Sequence, residues 1–158
     1  MDFNQFYQSV CEFNNLAGNK NSLEGFKAQM KCLQEEVTET QEAIEDNDIT
    51  GILDGAVDVI YVAYGILQKL EQLGVDIQGA MQQVATDNTG KFPVDVKVAQ
   101  STVLHYNKQN INVSYSLDPK YNKYVIKDEN QKVRKPHNFV PTDLSQYVPS
   151  YLQKRGLV

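Results

Sequence analysis

Ile49-Thr50-Gly51-Ile52-Leu53-Asp54-Gly55-Ala56-Val57-Asp58-Val59-Ile60-Tyr61-Val62-Ala63-Tyr64-Gly65-Ile66-Leu67 is apolar almost all the way round when wound as a helix, yet it carries two carboxylates. A helix of that kind is predicted to be buried on most sides. Asp54 and Asp58 lie four residues apart and share one face. Inside such a helix a carboxylate costs on the order of several kcal/mol unless it is protonated, paired or bound to a cation. The segment just before it adds Glu35-Glu36-x-x-Glu39, three more acids near one helical face. From Gln34 to Gln68 there is no Lys, Arg or His, so the compensating charge has to come from another segment or from solution. Oxygen-only donors favour a hard ion, Mg²⁺ or Mn²⁺, over zinc. Taken singly, Glu35, Glu42, Glu45, Asp46 and Asp48 read as a solvated face. Asp58, flanked by Val57, Val59, Ile60 and Tyr61, reads as a ligand.

The chain has 158 residues, enough for one main domain with a core plus an appendage. Its net charge is −5 and no Lys/Arg stripe interleaves with aromatics, which argues against nucleic acid as a partner and leaves room for a small phosphorylated ligand. Met1-Asp2-Phe3-Asn4-Gln5 lacks the basic and apolar regions of a signal peptide, and two Asp interrupt the apolar run. A soluble, cytoplasmic protein with no membrane partner is expected. Cys11 and Cys32 have no metal spacing and no neighbouring His, and both are predicted to be small buried thiols in helices.

Along the chain, Phe3, Phe6, Tyr7, Val10 and Phe13 recur at three- and four-residue spacing and predict a first helix that ends before Gly18. Ser22 caps a second, which runs to about Glu45. Asp48 caps a third, through about Leu73 with Gly74 as its stop, and Asp76 caps a fourth that ends near Asn88 to Gly90. Beyond Pro93, the alternation in 110–115 and 123–127 predicts two short strands in a hairpin around Asp118-Pro119. Pro136, Pro141 and Pro149 predict an extended tail. Lys127, Lys132, Arg134 and Lys135 read as a solvated basic face. The division expected is residues 1–92 as a helical catalytic core and 93–158 as a C-terminal extension.

Three segments resemble the all-α nucleoside triphosphate pyrophosphohydrolase superfamily, which includes the MazG proteins, dimeric dUTPases and phosphoribosyl-ATP pyrophosphohydrolase. Glu35-Glu36-Val37-Thr38-Glu39 is similar to its E-E-x-x-E, and Asp54-Gly55-Ala56-Val57-Asp58 to the acidic segment of its third helix. Val84-Ala85-Thr86-Asp87-Asn88-Thr89-Gly90-Lys91-Phe92 resembles the V-x-x-x-N-x-x-K-F that ends the fourth helix in the phosphoribosyl-ATP pyrophosphohydrolase-like branch. There is one departure: Gly55 stands where the family has an acid, and the acid lies one residue earlier, at Asp54. Lys132-Val133-x-Lys135-Pro136 and Phe139-x-Pro141-x-Asp143-Leu144 are also similar to the C-terminal extension of that branch.

The resemblance implies an all-α core, a four-helix MazG-like bundle followed by a small C-terminal β-hairpin and an extended tail. It implies an enzyme that hydrolyses a nucleoside triphosphate, expected to be a deoxynucleotide, to the monophosphate and pyrophosphate. Mg²⁺, or Mn²⁺, would be held by Glu36, Glu39, Asp54 and Asp58, with Glu35 as a further ligand or as the group that orients or deprotonates water. Lys91 would meet a phosphate, Asn88 a phosphate or sugar oxygen, and Tyr61 the pocket. Phe13, Asn14 and Asn15 are the expected base-recognition residues. Read without the family, Lys91 is a helix-end cation, Asn88 a C-cap and Tyr61 a core aromatic. The apolar third helix also predicts burial against a second copy, in a homodimer or dimer of dimers, with Val59, Val62, Ala63 or Ile66 in the interface. Two other readings fit parts of the sequence. A di-iron carboxylate bundle is disfavoured because His105 and His137 lie outside the predicted helices. A non-catalytic nucleotide-binding or helical interaction module has the Gly55 departure in its favour.

Overall fold

The computed structural model describes residues 3–157. The four expected helices are present as α1 (Phe3–Leu16), α2 (Leu23–Glu45), α3 (Ile49–Gln72) and α4 (Ile77–Gly90). They are followed by α5 (Val96–Asn107), the hairpin strands β1 (Val113–Asp118) and β2 (Lys123–Asp128), a 3-10 turn at Leu144–Tyr147 and α6 (Ser150–Arg155). The fold is a largely helical chain with one small two-stranded antiparallel sheet. By packing it forms two compact units, Met1–Ile77 with Ser145–Val158, and Gln78–Leu144. These units do not follow the boundary expected at residue 92: α4 clusters with the hairpin, and the last fourteen residues cluster with the first three helices.

In the first unit, the predicted caps close the helices. Ser22 accepts from the Gly25 N–H at 3.3 Å and Asp48 from the Thr50 N–H at 3.0 Å. Gly74, at φ +86°, stops α3, and the Val75 and Gly74 N–H groups bond the Leu70 and Glu71 carbonyls. Helices α2 and α3 form a close antiparallel pair, and small residues set how close. A Cβ at Gly51 would lie 3.0 Å from Ala43 Cβ, and one at Gly55 would lie 3.1 Å from Thr40 Cα and inside the Thr40 hydroxyl. Farther along, the Gln29 amide donates to the Val62 carbonyl at 3.0 Å, beside Gly65. Helix α1 packs on α3 through edge-on aromatics, Phe6 on Tyr61 and Tyr64 and Tyr7 on Tyr64. The C-terminal residues return to this unit, where Tyr147 O accepts from the Asp76 N–H at 2.9 Å and Tyr151 Oη donates to Leu73 O at 2.5 Å.

The apolar circumference of α3 is not buried within one chain. Ile49, Leu53, Val57 and Ile60 are exposed, at 72, 66, 40 and 47%, because α2 and α1 cover only one side. The buried residues of this helix are Gly55, Gly65, Gln68 and Lys69, glycines at close approaches and two polar side chains. By length and composition α3 would also suffice to cross a bilayer. Of the two cysteines, Cys11 is half-buried but Cys32 is exposed rather than in the core, since α2 turns only one stripe toward its neighbours.

In the second unit, α5 lies against the hairpin through Ala99, Val113 and Ile126, with Val103, Tyr106, Ile111 and Tyr124 around them. Sequence reading missed α5, because Val96, Val98, Thr102 and Val103 are β-branched and start in strand-like alternation. The available signal was Asp95, whose carboxylate caps the helix at the Lys97 N–H, 2.8 Å away. The tail is not wholly extended either: Pro149 precedes α6, as proline fits a helix start. The hairpin forms as predicted, but its first strand runs Val113–Asp118 rather than 110–115, with Val113 opposite Asp128 and Asp118 opposite Lys123.

Candidate functional site

The antiparallel register that sets Gly55 against Thr40 also brings the acids of α3 to the acids of α2. The Glu36 carboxyl is pushed above the usual carboxylate range, first by its partial burial and then by the negative charges of Asp58, Glu39, Glu35 and Asp54, in that order. The other four acids expected from the sequence therefore all act on Glu36. Glu36 and Asp58 are half-buried, while Glu35, Glu39 and Asp54 are exposed. Asp58 is less enclosed than its flanks suggested, since the face of α3 beside it has no neighbour in this chain. Glu35 has a counter-ion from just outside the acidic stretch, Lys31, at 3.6 Å one helical turn back. Exposure of both groups leaves that pair little stabilising value.

The geometry explains the glycine at 55. That position faces the α2 backbone at Thr40, where no side chain fits, so an acid can stand only at a neighbouring position. The donors are all oxygen, which suits a hard divalent cation in chemistry. Among the described residues, no three Asp, Glu, His or Cys side chains converge tightly enough to hold an ion.

The other expected residues have specific places. Tyr61 Oη donates to the Ser9 carbonyl at 3.1 Å and its ring meets Phe6 and Phe13 edge-on, the arrangement of a core aromatic. Phe13 is 57% exposed beside it. Asn14 is buried and accepts from the Asn19 amide at 2.6 Å, and Asn15 accepts from Gln68 and Gln72, both at 3.3 Å. The Asn15 bonds fasten α1 to α3, and the Asn14 bond holds the loop after α1. In the second unit, Lys91 Nζ donates to Asn88 Oδ1 at 2.5 Å, so these two side chains are held together at the end of α4.

Sequence reasoning overlooked three residues. Lys69 is 2% exposed in α3 and donates to the Lys20 carbonyl at 3.2 Å, and burial lowers its pKa. No pattern flagged it, as its neighbours mark that position as apolar. Asp87 accepts from the Thr142 N–H, the Gln83 amide and the Thr142 hydroxyl, which hold its carboxyl below the usual range and tie α4 to the tail. Arg134, read as part of a solvated basic face, instead pairs with the buried Asp128 at 2.7 Å.

A family model of phosphoribosyl-ATP pyrophosphohydrolase matches residues 18–88. An uncharacterised protein of Acanthamoeba polyphaga mimivirus is 28% identical over 97 residues, covering 54% of this chain and 38% of the viral protein. The chain thus spans well under half the length of that relative. No solved structure matches it significantly. The segment 18–88 takes in both acidic helices and most of α4, and over it the chain is similar to the phosphoribosyl-ATP pyrophosphohydrolase family, part of the MazG-like nucleoside triphosphate pyrophosphohydrolase superfamily.

Proposed function

We propose that this chain hydrolyses a nucleoside triphosphate, a deoxynucleotide in particular, between the α and β phosphates. Water adds to the α-phosphorus, the bond to the bridging oxygen breaks, and nucleoside monophosphate and pyrophosphate leave. The observation that carries the reading is the gathering of Asp58, Glu39, Glu35 and Asp54 around the half-buried Glu36, whose carboxyl is raised by burial and by their charges. Within the family match, that set has no other evident purpose, because it costs the folded chain electrostatic energy.

Glu36, Glu39, Asp54 and Asp58 are the residues that would hold Mg²⁺ or Mn²⁺, and Asp54 takes the place denied to a longer acid at 55. When bound, the cation supplies charge neutralisation for the triphosphate and a lowered pKa for water. Glu35 orients or deprotonates the attacking water, a role to which its exposed carboxylate and weak Lys31 pair leave it free. Lys91 is the chain's candidate point charge for a phosphate, with Asn88 as its hydrogen-bonding companion. Phe13 offers the exposed aromatic surface for a base. Asn14 shapes the same end of α1 from within. Residues 1–92 form the catalytic part on this reading, and 93–158 add to it.

The active form is a homodimer or dimer of dimers. Leu53, Val57 and Ile60 are the open apolar strip of α3 that a second copy would cover, rather than the Val59, Val62, Ala63 and Ile66 positions, which are already half-buried. Incubation with a panel of NTPs and dNTPs, with Mg²⁺ or with EDTA, followed by chromatographic separation of pyrophosphate from phosphate, tests the activity. Pyrophosphate formation that needs the cation is expected. Nucleotide binding without turnover would instead favour the non-catalytic reading. Size-exclusion light scattering tests the assembly, and a 17.9 kDa active species would exclude it.

A further inference from the structure

The two edges of the hairpin differ. Along β2 the outward-facing backbone groups are occupied: the Tyr124 N–H donates to Pro93 O, the Asp128 N–H to Lys132 O, and Ile126 O accepts from the Arg134 N–H. Those bonds fix which residues of β2 face away from β1, namely 124, 126 and 128, and so which pairs form the ladder. Ser114, Ser116 and Asp118 turn their backbone groups to Lys127, Val125 and Lys123. Val113, Tyr115 and Leu117 turn theirs outward, and among the described residues none of them has a backbone partner there. An open groove of about 420 Å³ crosses the hairpin, lined by Ser114 and Ser116 of β1 and by Val125 and Lys127 of β2. Tyr115 and Leu117 are 37 and 47% exposed.

Soluble proteins blunt such an edge with Lys, Pro or a bulge, since it is a template for another strand. Strand β1 has neither Lys nor Pro, and its register runs without a bulge. Its sequence is instead close to a palindrome. Val113-Ser114-Tyr115-Ser116-Leu117 reads apolar, Ser, Tyr, Ser, apolar from either end.

We propose that β1 pairs antiparallel with β1 of a second copy, about a two-fold axis at Tyr115, to make a four-stranded sheet across the two chains. The outward groups then meet in phase. Tyr115 exchanges both backbone hydrogen bonds with the partner copy's equivalent residue, and Val113 and Leu117 exchange theirs reciprocally. On the α5 face, Val113 lies against Leu117 and the two tyrosines lie side by side. On the other face serine meets serine. Asp118, the strand's one charge, falls opposite the neutral Asn112, so no like charges meet. The α5 helices come to one face of the sheet about 10 Å apart, the ordinary spacing of packed helices, because each hairpin is two strands wide. An unrelated peptide could use the same edge, but it would not require the symmetry of β1 about Tyr115. This contact is separate from the α3 strip and does not depend on the activity proposed above.

Cysteine cross-linking tests it. In the proposed register 114 of one copy faces 116 of the other in a non-hydrogen-bonded pair, with Cα atoms about 4.5 Å apart, within disulfide range. Positions 114 and 114, or 116 and 116, lie on a diagonal of about 7–8 Å. In a Cys11→Ser, Cys32→Ser background, the full chain carrying both Ser114→Cys and Ser116→Cys should give a covalent dimer on mild oxidation, with the 114–116 linkage seen by peptide mass mapping, whereas either single replacement should not. A folded double variant that stays unlinked, as a peptide from another protein on this edge would leave it, overturns the proposal, and so does equal linking by the single variants. As a second measurement, Tyr115→Pro removes an N–H that β2 does not use, so the hairpin ladder survives. The mass by light scattering should fall to half that of the parent with the circular dichroism spectrum retained. An unchanged mass would also overturn the proposal.

Discussion

The two units of this chain handle polarity in opposite ways. The first, 1–77 with 145–158, carries fourteen acidic and six basic residues, net −8, and the second, 78–144, carries six acidic and nine basic, net +3. The first contains the most apolar helix of the chain, yet the buried side chains of that helix are Gln68 and Lys69, and its acids push up the Glu36 carboxyl. The second is built of short elements, yet it closes a small apolar core at Ala99, Val113 and Ile126 and gives its buried Asp128 a full set of donors. Burial follows from what stands opposite a side chain, not from its hydropathy alone. The apolar helix α3 leaves Leu53, Val57 and Ile60 exposed, while the shorter α5 fully buries Ala99 and Thr102. The acids of the first unit raise the Glu36 carboxyl, whereas Asp87 and Asp128 of the second are held below the usual range by the donors around them.

The largest effect should come from removing the acids that the first unit leaves uncompensated. Replacing Glu36, Glu39 or Asp58 by Ala is expected to lower kcat at least about 10²-fold, with the circular dichroism spectrum retained. Asp58→Asn should raise Tm in EDTA, because it removes a repulsion at Glu36, and that gain should vanish in Mg²⁺. A variant that hydrolyses at the parent rate would break the contrast. Gly55→Glu, which restores the family acid, should destabilise the first unit by about 1–3 kcal/mol through overpacking against Thr40, and Thr40→Gly should recover part of the loss in thermal melts. Equal Tm values for parent and Gly55→Glu would mean that helix separation does not set the acid's position.

In the second unit, Arg134→Ala should free the hairpin's far end by leaving Asp128 buried without its main counter-charge. Faster amide exchange at 126–134 than in α2 would report it. The smallest and most diagnostic effect is that of pH. Burial raises the Asp128 carboxyl, but the Lys132 N–H, Arg134 and the Asn130 N–H outweigh it and leave a lowered pKa. Its contribution is present above its ordinary value of 3.8 and is lost as pH falls through the lowered one. Glu36 has the opposite sign: its pKa is raised, so its contribution is present below 4.5 and is lost as pH rises through the raised value. Hydrogen exchange from pH 6 to pH 3 should therefore show the second unit losing protection relative to the first. Parallel loss in both units would remove the distinction.

Much of this was legible in the sequence, for particular reasons. Ser22, Asp48 and Gly74 announce helix ends by local chemistry, which no distant contact has to confirm. The acids of α2 and α3 were legible as one group because two helices joined by a short turn bring residues at matched distances from it together. What was not legible depends on neighbours in space. The clash at Gly55 requires Thr40, and the buried state of Lys69 requires the Lys20 carbonyl. The pairing of Arg134 with Asp128 requires the turn that Asn130 and Lys132 complete. Tyr61 and Asn14 look alike in sequence whether they serve a ligand or the α1–α3 contact. Only the fold shows that Tyr61 bonds the Ser9 carbonyl of α1 and that Asn14 accepts from Asn19 in the loop after that helix.

The hydrogen bond from the Asp76 N–H to Tyr147 O, 2.9 Å long, joins the point where the chain leaves the first unit to the point where it re-enters. Residues 78–144 are therefore topologically an insertion rather than an appendage. The C-terminal helix is docked, through Tyr151, on the unit that holds the acids. The same adjacency makes the segment exchangeable, since a few residues of linker would bridge the gap and loop closure depends only weakly on what is looped out. A lineage could thus lengthen, replace or lose the basic unit while the α2–α3 pair and its register remained as they are.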